Sequence, residues 1–146
     1  MKKILMLSAV VISSIYLAGC SSGANGVFDM SIPNAQESMP SNVKDQVGDF
    51  KFYFGKDSAP LMSKDLGSVQ TSVRTNGVFK DSNKSCNWVF YSALLKLKEQ
   101  AQARGATGVA NIQSNWKNNT TSSDKTFVCG KGNMMSGVAL IGTAIK

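Results

Sequence analysis

The spacing of apolar residues changes several times along this chain, and each change marks an element. Ile4 to Tyr16 is apolar apart from its serines. From Ser21 to about Gly48 there is no sustained apolar period. Ser, Asn, Gly, Gln and two of the three prolines dominate there, which predicts a flexible tether. Val27-Phe28-Asp29-Met30 is a small apolar exception within it. Phe50-Lys51-Phe52-Tyr53-Phe54 alternates and stops at Gly55, the pattern of a strand. Asp57 to Lys64, with Pro60, predicts a loop. In Leu66 to Thr75, Val69, Thr71 and Val73 share one parity and predict a second strand.

The next period is helical. Phe90, Leu94, Leu97 and Ala101 fall on one face over about Asn87 to Arg104, and Trp88, Tyr91 and Leu95 widen it. Ser85 or Asn87 is placed to cap the start, and Gly105 suits the residue just past the end. Three more strands follow, at Gly108–Trp116, Thr126–Cys129 and Met135–Ile145. Lys117 to Lys125 reads as a polar hairpin loop. One helix followed by closely spaced strands predicts an α+β fold. The expected arrangement is one main helix on a small, mostly antiparallel sheet of about four to five strands.

The N-terminus changes the setting. Met1-Lys2-Lys3 is cationic, the apolar run behind it is too short to span a bilayer, and polar Ser21-Ser22-Gly23 follows at once. Leu17-Ala18-Gly19-Cys20 resembles the lipobox of bacterial lipoproteins. That resemblance implies cleavage between Gly19 and Cys20 and acyl chains, such as palmitate, on Cys20. Ser21, where an Asp would favour the inner membrane, implies the outer membrane. The organisation expected is a signal peptide over 1–19, a lipidated tether over 20–48 with a reach of roughly 30 Å, and a periplasmic domain over 49–146.

Composition then narrows the chemistry. The formal charge of +7 falls to +5 once Lys2 and Lys3 leave with the signal (7 − 2). A modest positive balance suits anionic lipid or an acidic partner. Export and the scattered lysines argue against nucleic acid. With no histidine, every Ser-His-Asp or Cys-His arrangement is excluded. No carboxylate pair stands out for acid–base work, and Gly130-Lys131-Gly132 lacks the spacing of a phosphate loop. No catalytic residue, nucleotide, metal or cofactor is expected. Cys86 and Cys129 remain as an even pair in an oxidising compartment and are read as a disulfide, the alternative being two separate buried thiols.

Asp65-Leu66-Gly67-Ser68-Val69, the run from the helix through Ala103-Arg104-Gly105-Ala106-Thr107-Gly108-Val109-Ala110, and Gly137-Val138-Ala139-Leu140 together resemble the RcsF/YbjQ-like family of small α+β domains. That family pairs a Cys soon after its "DLG" strand with a Cys shortly before its last strand, the places of Cys86 and Cys129 here. The second disulfide of the RcsF type is missing. Phe52-Tyr53-Phe54-Gly55, Cys86 to Leu94 and Asn115 to Asn119 resemble motifs of uncharacterised secreted proteins, some labelled excinuclease ATPase. The absence of a nucleotide loop argues against that label here.

The function these features imply is an outer-membrane-anchored interaction module. It would be an accessory subunit of an envelope complex, such as a secretion machine, or an envelope stress sensor, with an envelope protein as partner. The alternative is a small-ligand or metal-binding periplasmic module using Met134, Met135 and the thiols, against which stands a methionine pair packed in the core. Trp116, Lys117, Asn118 and Asn119 are the expected partner contacts, with Tyr53, Phe54 and Trp88 second.

Overall fold

The computed structural model describes residues 25–77 and 81–146. The expected signal peptide and Cys20 lie outside the described residues.

In chain order the elements are β1 (Gly26–Ser31), α1 (Ile32–Glu37), α2 (Ser41–Val47), β2 (Lys51–Phe54), β3 (Asp65–Asn76), α3 (Ser82–Gln102), β4 (Gly108–Trp116), β5 (Asn119–Thr121), β6 (Thr126–Lys131) and β7 (Met135–Ile145). The fold is mixed α+β, with one main helix on a seven-stranded mixed sheet. The expected four to five strands were too few. β5 lies inside the stretch read as a polar loop, and β1 inside the stretch read as a tether.

The tether expectation is corrected from Gly26 onward. β1 pairs antiparallel with the whole of β6, and Ile32, Ala35 and Val43 of α1 and α2 are buried in the common core. These helices are six and seven residues long, too short to show a helical period. Their local signals are small: Ser31 caps α1 by accepting from the Asn34 N–H, and Pro33 sits in its first turn.

β7 is the spine. β3 lies antiparallel along one side, from Asn76 opposite Met135 to Asp65 opposite Ile145. The other side is divided: β4 pairs with residues 140–145, and β6 pairs at Gly137 and Ser136. Beyond β4 lies β2, in parallel, and beyond β6 lies β1. The register of β4 shifts between Ala110 and Gln113, where Asn111 takes a left-handed φ of 54°. Asparagine tolerates that conformation. Here it also exchanges two hydrogen bonds with Ser58, at 2.9 and 2.8 Å, which pins the β2–β3 loop to the bulge.

α3 begins at Ser82, earlier than the periodicity predicts, and its cap is Asp81, accepting from the Asn83 N–H at 2.8 Å. Ser85, one of the expected caps, is instead buried and accepts from the Ser136 hydroxyl. The helix ends as expected. Gly105 has φ 77° and donates to the Gln102 carbonyl, while Ala106 donates to that of Ala101, the two bonds of a Schellman motif.

Cys86, Val89, Phe90, Ala93, Leu94, Leu97 and Ala101 face the sheet. The Phe90 ring stacks on Phe127 of β6 at 4.0 Å. A disulfide joins Cys86 to Cys129, with Cα atoms 5.9 Å apart. Tyr91, also buried, reaches past the sheet and donates its hydroxyl to the Ala35 carbonyl at 2.6 Å, tying α1 to α3.

Candidate functional site

Side chains alternate across a strand. Cys129 and Val138 point to the helix, so their neighbours Gly130 and Gly137 look out from the other face. The two glycines are directly paired. The indole of Trp116 lies against both. A Cβ on Gly130 would come within 1.9 Å of Trp116 Cζ2, and one on Gly137 within 2.8 Å of Cζ3. Only glycine lets the ring approach the backbone this closely. The effect on β6 is visible in its burial: Phe127 to Lys131 are buried in unbroken succession, because the helix covers one face and the indole the other. Trp116 itself is half-buried, and its Nε1–H is buried without an acceptor among the described residues.

The chain reverses immediately after the tryptophan. Lys117 and Asn118 have φ of 50° and 64°, and Trp116 pairs with Asn119 across them. Two consecutive positive φ values in a two-residue hairpin make a type I′ turn, whose twist matches that of the strands. Lys117, Asn118 and Asn119 are exposed. The hairpin therefore projects a lysine and two asparagines from a rigid base, with Trp116 as its inner wall.

A groove lies on each side of that wall. One, of about 330 Å³, is bounded by Val27, Met135, Arg74, Trp116 and Lys117. The other, of about 430 Å³, is more polar and runs along β3, bounded by Gln70, Ser72, Arg74, Asn115, Trp116 and Asn118. Arg74 stands at the junction of the two.

The remaining candidates are not brought to this place. Trp88 is 47 % exposed on α3, beside Val43 and Leu95 in a separate small groove; it is not a core residue. Phe54 packs on Phe90 at 6.0 Å and forms the rim of the core. Tyr53 lines a groove under the β2–β3 loop. Met134 and Met135 are 69 % and 48 % exposed, which corrects the reading of a methionine pair packed in the core. Among the described residues no three of His, Cys, Asp and Glu come together, and both domain cysteines are in the disulfide.

Sequence reasoning missed Arg74, Gly130 and Gly137. The signal was present: isolated glycines within strands mark a close approach. Lys131, noted only as a failed phosphate loop, is buried and donates its ammonium to the Ser82 hydroxyl, fastening the first turn of α3. The pKa of the Tyr91 phenol is raised by its burial.

No family model and no curated protein matches the chain. Among solved structures it is similar to a protein with unknown function of the DUF74 family from Pediococcus pentosaceus ATCC 25745. The TM-score is 0.45 at 16 % identity, covering 66 % of this chain and 95 % of that one.

Proposed function

We propose that this chain is a lipid-anchored, outer-membrane lipoprotein of the RcsF/YbjQ-like kind that works by contact and not by turnover. Its partner would be an envelope protein or complex. The observation that carries the reading is the face of the sheet that the helix does not cover. Where the helix leaves one face dry and closed, the other holds a tryptophan wall, a cationic Arg74 and Lys117, and an open polar groove. A rigid aromatic edge with adjacent cations is the kind of surface on which a partner finds both contact area and specificity. Anchoring raises the local concentration of such a surface for partners in the same membrane.

The partner sits along β3 against the hairpin. Its carboxylates meet Arg74 and Lys117, and its amides meet Gln70, Asn115 and Asn118. The experiment is crosslinking in the envelope followed by recovery of the full-length protein, comparing the native chain with Arg74→Ala, Lys117→Ala, Asn118→Ala. The triple variant is expected to lose most partner recovery with its disulfide intact and its melting temperature lowered only slightly, by alanine at the positive φ of position 118. A stable triple variant that recovers every partner overturns this placement. Lipidation is read separately: Cys20→Ala should leave the membrane fraction and lose the mass of the acyl chains.

A further inference from the structure

One end of the sheet carries an apolar patch that the core does not use. Val27 of β1 is 60 % exposed, and Met134 and Met135, at the β6–β7 turn, are 69 % and 48 % exposed. Val27 and Met135 border the same groove beside Trp116. The turn is fastened. The Gly132 N–H donates to the Met135 carbonyl at 2.8 Å, the Gly77 N–H to that of Met134 at 2.9 Å, and the Asn25 amide to Asn133. Three apolar side chains are thus held out to solvent on a fixed frame, an arrangement that marks a contact surface.

Cations lie at this end of the sheet. Arg74 and Lys117 border its groove. Lys84 is exposed in the first turn of α3, which the Lys131–Ser82 bond holds to this end of β6. The acidic groups nearby are Asp81, whose carboxylate caps α3, and Asp29, two residues along β1 from Val27.

Chain length supplies the occupant. β1 begins at Gly26, and Ser21 to Asn25 are the five residues between it and Cys20. Fully extended, that link reaches about 20 Å. Under the lipid-anchor reading, on which the choice of partner rests, this end of the sheet cannot leave the neighbourhood of the headgroups. We infer that it is a membrane seat. Val27, Met134 and Met135 enter the boundary between headgroups and acyl chains of an anionic bilayer, and Arg74, Lys84 and Lys117 meet its phosphates. The seat takes up the apolar groove and leaves the polar groove along β3 open; Arg74 and Lys117 border both, so lipid phosphates and the partner's carboxylates compete for them. The other exposed apolar pair, Leu61 and Met62, lies at the far end of β7 beside Lys146, about 35 Å away along an eleven-residue strand, and faces away from the bilayer.

The test uses the mature chain from residue 20 with Cys20→Ala, so that no lipid assists binding; the described residues hold the whole sheet, core and disulfide. Co-sedimentation is measured with vesicles of phosphatidylethanolamine and phosphatidylglycerol and with vesicles of phosphatidylcholine. Binding is expected to the anionic vesicles, to weaken with added NaCl, and to fall about tenfold in the variant Val27→Asp, Met134→Asp, Met135→Asp. A second variant, Lys84→Glu with Lys117→Glu, should lose the preference for anionic vesicles. No binding to anionic vesicles, binding by the first variant equal to that of the native chain, or an undiminished anionic preference in the second variant overturns the seat. So does self-association without vesicles that the first variant abolishes, since the occupant is then a second copy. The assay contains no lipidated protein, so failure of the anchor reading, seen as an absent acyl mass on Cys20, leaves its result standing.

Discussion

The two faces of the sheet are closed by opposite means. On one, a 21-residue helix fills the space with large side chains: Phe90 stacks on Phe127 and a covalent bond joins Cys86 to Cys129. On the other, a single indole covers the strands by lying where side chains are missing, at Gly130 and Gly137. The helix face is specified by what its residues add. The tryptophan face is specified by what two residues lack. A face of the first kind tolerates conservative exchange among apolar residues, whereas one of the second kind fails on the addition of a single methyl group.

Removal of the disulfide should weaken the helix face more than any other change. Cys86→Ser with Cys129→Ser frees a loop of 43-residue separation. The chain-entropy model assigns ~4 kcal/mol to such a loop, an upper figure. Denaturant unfolding should show a loss approaching that, and the reductant dependence of the native protein should vanish in the variant. A loss below about 1 kcal/mol would mean that the helix face stands on packing alone.

Trp116→Ala tests the other face. Truncation of a fully buried tryptophan costs ~3–5 kcal/mol. Here the ring is half-buried and its buried Nε1–H has no acceptor, a cost that truncation removes. The expected loss is therefore about 2 kcal/mol, again by denaturant unfolding. Gly130→Ala should cost a comparable amount by displacing the ring, and in Trp116→Ala it should be nearly neutral. Additive effects in the double variant would refute the contact.

Tyr91 sharpens the helix side. Tyr91→Phe removes the bond to Ala35 and should cost about 1 kcal/mol. Burial raises the folded-state pKa of this phenol above its ordinary 10.0. Its contribution is therefore complete below pH 10, and it is lost as pH climbs through the raised value, because the unfolded chain deprotonates first. Stability measured from pH 9 to 11.5 should fall more steeply in the native chain than in the phenylalanine variant.

The smallest effect belongs to the hairpin. Asn118→Gly relieves a positive φ and should stabilise by about 0.5 kcal/mol. Asn118→Val should destabilise by more. Identical melting temperatures for all three chains would show that the turn does not set the position of the tryptophan.

What was legible in the sequence follows the same division. α3, β3, β4 and β7 each carry a long period, and their ranges lie within a few residues of expectation. The disulfide followed from two cysteines left as an even pair in a chain read as exported. β1, α1 and α2 were hidden, because six- and seven-residue elements hold too few apolar positions to establish a period. Their burial comes from tertiary pairing with β6 and α3, which no local pattern encodes. Trp116 stood out as an expected partner contact, but not as the wall on the second face of the sheet. Its actual role depends on Gly130 and Gly137, distant in sequence and carrying no side chain to announce it. Arg74 joined the site only through the pairing of β3 with β7.

The pairing of β1 with β6 also sets how the domain bears load. A pull on the N-terminus enters at Gly26 and runs along the axis of β1. It is shared among the six residue pairs from Gly26 opposite Lys131 to Ser31 opposite Thr126. Hydrogen bonds across an antiparallel ladder lie perpendicular to such a pull, so they are sheared together instead of being opened one at a time. Phe28 stands opposite Cys129, so the load meets, one strand in, a residue covalently joined to α3. A chain held by its N-terminus would resist extraction as a block, and reduction of that one bond would leave the strand seam and the packed core to bear the force.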